Sequence, residues 1–62
     1  MHVQILDAMN GLKTRMRDIH KNDIYAALNY KIEFHVLERK LAELCQRGII
    51  FPSSTADHYA FL

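Results

Sequence analysis

The chain has 62 residues, half of them hydrophobic and 24% charged, with a formal net charge of +1 at pH 7. That length predicts a single domain over residues 1–62, which removes only about 60% of its unfolded surface on folding, and the composition excludes a disordered chain. The single cysteine excludes an internal disulfide. No apolar run approaches the roughly 20 residues of a membrane span, and the start MHVQILDAMN lacks the basic and apolar regions of a signal peptide. A cytoplasmic protein is the expectation. Charge is unevenly placed: Lys13, Arg15, Arg17, Lys21 and Lys31 against Asp7, Asp18 and Asp23 give +2 over residues 1–31, while Arg39, Lys40 and Arg47 against Glu33, Glu38, Glu43 and Asp57 give −1 over residues 32–62. Dedicated nucleic-acid domains usually carry a stronger basic bias.

In chain order, Ile5, Met9, Leu12, Met16 and Ile19 recur at steps of four, three, four and three. This predicts an amphipathic helix over residues 2–17, with Ile19 in a short extended piece over 18–20. Gly11 lies inside the stripe at a cost of roughly 1 kcal/mol relative to alanine. Asn10-Gly11 is also a stop signal, but the stripe keeps its phase on both sides, so the helix reads as continuous. Asn22 and Asp23 suit an N-cap and an acidic first turn. Ile24, Ala27 and Leu28 then form the narrow stripe of a second helix over 23–29, where the small Ala26–Ala27 pair permits close approach of a crossing helix. Asn29 suits a left-handed close.

The third helix is predicted over 33–47. Phe34, Leu37, Leu41 and Leu44 repeat at three, four and three with Cys45 beside them, and His35, Arg39, Ala42, Glu43 and Gln46 face away. Arg47 suits the helix dipole in the last turn, and Gly48 supplies the terminating conformation. Ile49-Ile50-Phe51 reads as a strand, residues 52–57 as a polar turn, and 58–62 as a second strand with Tyr59 and Phe61 on one face. The expected fold class is mostly α with a small C-terminal β-hairpin.

This order of helix, stub, helix, helix and hairpin resembles the winged helix-turn-helix superfamily, three helices plus a wing, over essentially the whole chain. The strongest part is the run from Leu37 to Ile50, LERKLAELCQRGII, which is similar to the L-x-x-L-x-x-x-G-[LI]-[IL] ending of many recognition helices. Leucines plug the three-helix core, glycine turns the chain, and the β-branched pair starts the wing. The turn between Leu28 and Leu37 is about two residues longer than in the tightest helix-turn-helix motifs. The wing at 52–57 has no lysine or arginine, which wings that touch DNA often carry.

The resemblance implies a DNA-binding transcriptional regulator whose third helix reads the major groove of double-stranded DNA. His35 and Arg39 would reach base edges, Arg39 by bonding guanine O6 and N7 together, with Gln46 further along the same face. Lys31 and Lys40 would flank the groove as phosphate contacts. The alternative for this face is a solvated surface on which Glu38, Glu43 and their basic neighbours exchange weak pairs. Lys13, Arg15, Arg17 and Lys21 form a second cluster. On a helix Lys13 and Arg17 share a face and Lys21 lies just beyond, where the Asn22 and Asp23 amides could help to hold phosphate; equally, cations there complement a helix C-terminus.

No pair among His2, His20, His35, Cys45 and His58 has the short spacing of zinc ligands, so no metal or cofactor is expected. Cys45 reads as a small buried hydrophobe. Ser53 and Ser54 have no evident base, and no glycine-rich phosphate loop or small-molecule pocket is legible, so an enzyme is not expected. Tyr25, Tyr30, Val36, Tyr59, Phe61 and Leu62 exceed what three short helices and a hairpin comfortably bury. They suggest a homodimer contact, or a hairpin that caps the first helix. The competing function is a protein–protein interaction adaptor that keeps the fold without binding DNA, motivated by the near-zero net charge and the uncharged wing.

Overall fold

Eight side chains organise the molecule: Ile5, Met9, Ile19, Ile24, Leu37, Leu41, Leu44 and Ile50 are at most 1% exposed and form one core. Burying each contributes about 1.5–3 kcal/mol. The computed structural model describes residues 2–62, and these form three helices and a small three-stranded antiparallel sheet. Helix α1 spans His2–Lys13, β1 Ile19–His20, α2 Lys21–Ala27, α3 Phe34–Gln46, β2 Ile50–Pro52 and β3 His58–Phe61.

Helix α1 is shorter than the apolar stripe predicts. After Lys13 the amides of Arg15 and Met16 both donate to the Leu12 carbonyl at 3.0 Å, and Thr14 Oγ1 donates to the Gly11 carbonyl at 3.0 Å. The chain has to reverse before Ile19 enters the sheet, and residues 14–18 make that turn. Leu12 and Met16 still pack against the core, so the stripe keeps its phase where the helix has already ended. Gly11 is inside the helix, as the continuous reading requires.

Helix α2 begins two residues earlier than expected, and its cap is His20 in place of Asn22. His20 is extended, and its Nδ1 accepts the Asn22 amide at 2.9 Å, the role an N-cap oxygen usually fills. Asp23 lies in the first turn, where its charge suits the dipole. Ala26 and Ala27 are exposed, so they are not the close-approach surface that their size suggests.

Both later helices end alike. The Asn29 amide donates to the Ala26 carbonyl at 2.9 Å and the Tyr30 amide to the Tyr25 carbonyl at 3.2 Å; the Gly48 amide donates to Cys45 at 3.0 Å and the Ile49 amide to Leu44 at 3.2 Å. Each is a Schellman closure with its left-handed residue at C′, Asn29 at φ 58° and Gly48 at φ 73°. Tyr30 is left-handed as well, at φ 57°, and its ring packs edge-on against Tyr25 with centroids 4.9 Å apart. Arg47 is the cap of α3 and lies just beyond the last turn.

The sheet has the order β1-β3-β2. Ile50 pairs with Phe61, Phe51 with Ala60 and Pro52 with Tyr59, while Ile19 pairs with Tyr59 and His20 with His58. The hairpin forms with shifted bounds: Ile49 and Leu62, expected in the strands, lie outside them, and Pro52 belongs to β2, at the edge of the sheet, where its missing N–H costs no ladder bond. The piece around Ile19 is a paired third strand.

The two glycines predict opposite stability effects. A Cβ on Gly11 meets nothing within 4 Å, so Gly11→Ala should stabilise by roughly 0.5–1 kcal/mol. At Gly48 a Cβ meets only Leu62 Cδ1 at 4.0 Å, but the φ of +73° is left-handed, so Gly48→Ala should cost about 1–2 kcal/mol. Urea unfolding midpoints of the two variants against wild type measure both.

Candidate functional site

The outward side of α3 carries His35, Arg39, Ala42 and Gln46, spaced four, three and four, and all four are exposed. Leu37, Leu41 and Leu44 hold the opposite side in the core. Glu43 does not share the outward face as its spacing predicts. It is half-buried, with His2 Nε2 2.8 Å from its Oε1 and Lys40 Nζ at 3.5 Å. The hydrogen bond from His2 holds the Glu43 carboxyl below its ordinary value of 4.5, against an opposing push from burial and with help from Lys40. Glu38 is likewise engaged, 2.6 Å from Lys21 Nζ. His35 lies 3.2 Å from Glu33. Arg39 has no carboxylate within 4.0 Å among the described residues.

The expected cluster of Lys13, Arg15, Arg17 and Lys21 divides. Lys21 leaves it: its ammonium lies 2.6 Å from Glu38, 3.2 Å from Asp57 and 5.2 Å over the Phe34 ring. These two hydrogen bonds raise its pKa, with Glu38 contributing most and burial opposing. Of the two amides expected to help hold phosphate at the start of α2, that of Asn22 is donated to His20 Nδ1 at 2.9 Å. Lys13 and Arg17 line a cleft of about 300 Å³ with Asp18, Phe51, Ala60 and Phe61. Arg15 is exposed on the turn after α1. Lys31 borders a separate groove with Gln4, Leu28 and Ile32. The site residues read from the sequence therefore do not form one surface, and no residue of α3 lines the Lys13–Arg17 cleft.

Sequence spacing missed two features. The His20 and His58 rings meet edge-on at 4.8 Å across β1 and β3, and Phe51 comes beside Ala60 and Arg17 only through strand pairing. Neither pairing leaves a short-range signal. No group of three or more His, Cys, Asp or Glu among the described residues could hold a metal ion. Cys45 is partly buried, which pushes its thiol pKa up. Of the surplus apolar residues, Tyr25, Tyr59 and Phe61 pack against the core, whereas Tyr30 and Leu62 stay 64% and 77% exposed. No helix among the described residues is long and apolar enough to cross a membrane. Comparison with protein-family models, with curated proteins and with solved structures found no match.

The Lys21 junction predicts a pH response. A raised pKa means that its contribution is complete below the ordinary value of 10.5 and is lost as pH rises through the raised one. Melting temperature, followed by circular dichroism, should therefore drop above about pH 10.5 in wild type. Lys21→Met should melt lower than wild type at neutral pH and lose less across the alkaline range.

Proposed function

We propose that the protein is a winged helix-turn-helix domain that binds double-stranded DNA, with α3 in the major groove, and that it acts as a transcriptional regulator. The element order and the β1-β3-β2 sheet, in which the stub pairs with the hairpin, support the fold assignment. One observation carries the functional reading: the two glutamates within α3 are both held by groups from other elements. Glu38 and Glu43 would oppose a phosphate backbone, and both are engaged by cations or donors from other elements, Lys21 at 2.6 Å and His2 at 2.8 Å. Arg39, Ala42 and Gln46 are exposed beside them, and His35 is exposed with Glu33 3.2 Å away.

On this reading Arg39 bonds guanine O6 and N7, and His35 and Gln46 reach neighbouring base edges. Lys31 and Lys40 hold phosphates on either side; the 3.5 Å contact of Lys40 with Glu43 is loose enough to exchange for one. Two copies on a two-fold site would extend the contact. A second reading, a protein-docking adaptor, is favoured by the turn between β2 and β3. It has no lysine or arginine, and its Asp57 is paired with Lys21.

Salt separates the two readings. Anisotropy titration of a mixed-sequence duplex should give an affinity that falls steeply between about 50 and 200 mM salt, in proportion to the phosphates neutralised. Arg39→Ala should lose about 1–3 kcal/mol of preference at one base pair and keep the salt slope. Absence of binding at the low-salt end would end the DNA reading and leave the adaptor.

A further inference from the structure

The cleft between the end of α1 and the sheet is separate from the α3 face, and its chemistry points to a ligand of its own. The chain turns over residues 14–18, and a cleft of about 300 Å³ is lined by Lys13, Arg17 and Asp18 from this end of α1 and by Phe51, Ala60 and Phe61 from the sheet. That is the lower end of ligand-pocket volumes, room for one small molecule. Ala60 pairs directly with Phe51. Its small side chain leaves open space beside the Phe51 ring, which is 40% exposed.

The cleft brings charges of both signs to one hollow without pairing them. Two cations and a carboxylate line one hollow, yet none of the three has an opposite charge within 4.0 Å among the described residues. The Lys13 ammonium sits 4.9 Å over the Phe61 ring instead. An open aromatic ring, two free cations and one free acceptor match a planar ring that carries both an anionic group and a hydrogen-bond donor.

We propose that this cleft binds a nucleoside monophosphate, either free or as one residue of a single strand. The base lies against Phe51, where stacking is tolerant of base identity. Lys13 and Arg17 hold the phosphate, Arg17 through its paired donors. Asp18 accepts a hydrogen bond from a base amine or a sugar hydroxyl, which offsets the repulsion that its charge imposes on the phosphate.

Calorimetric titration of the full chain at low salt with adenosine monophosphate, adenosine, inorganic phosphate and a short oligodeoxyadenylate tests this. Adenosine monophosphate or the oligonucleotide should bind more tightly than adenosine and phosphate do separately. Phe51→Ser and Arg17→Gln should each weaken that binding by about tenfold or more, and Arg39→Ala should leave it unchanged. Both substitutions replace exposed side chains, so wild-type melting curves serve as the folding control. Tighter binding of the oligonucleotide with the same variant dependence assigns the ligand to a strand, and tighter binding of the monophosphate assigns it to the free nucleotide. Phosphate binding as tightly as both, binding of neither, or indifference to both substitutions would overturn the proposal.

Discussion

A strand of two residues, β1, is the seam on which the rest of the molecule depends. Ile19 is fully buried and pairs with Tyr59, while His20 pairs with His58 and caps α2. The next residue, Lys21, donates its amide to the Asp57 carbonyl at 2.9 Å and its ammonium to Glu38 and Asp57. Three successive residues thus supply a core side chain, a helix cap and a junction that joins α2, α3 and the hairpin turn. A two-stranded hairpin alone is marginal in water. With β1 beside it, β3 becomes the central strand and the hairpin is fastened to the helices. The ordering cost of closing a loop of this length grows only slowly with its size, so one short pairing suffices.

The same junction shapes the surface of α3. Its core stripe sets which side faces outward, but the electrostatics of that side are decided by groups far away in the chain. His2 from the start of α1 takes Glu43, and Lys21 from the start of α2 takes Glu38. In an isolated helix both glutamates would be free carboxylates beside Arg39. In the folded molecule both are paired, Glu38 while still exposed and Glu43 half-buried. A change at His2 or Lys21 therefore alters the charge presented on α3 without altering any residue of that helix.

What the sequence conveys follows from the range of each interaction. All eight core residues lie on stripes or runs that period and apolarity mark, because burial acts on every third or fourth residue of a helix. The left-handed closes at Asn29 and Gly48 were legible from residue type alone. The end of α1 was not, since Leu12 and Met16 pack on the core on both sides of the helix boundary. The His20 cap was hidden because histidine is not among the residues usually read as caps. The pairings His2–Glu43 and Lys21–Glu38, and the meeting of Phe51 with Arg17, join residues with no local relation to one another. For that reason the basic residues read as one patch near α1 divide between an ion-paired junction at Lys21, an open cleft at Lys13 and Arg17, and the exposed turn that carries Arg15.

The sheet has one more property, which bears on how these molecules behave when they are crowded together. Its free edges are β1, two residues long, and β2, three residues long with Pro52 at its end. Short edges and a proline offer a neighbouring chain few backbone groups to template against. Half of the sequence is hydrophobic, and a chain of that composition with a long open edge would be prone to add strands end on end. Here the edges are too short to give that route more than a few backbone groups to start on.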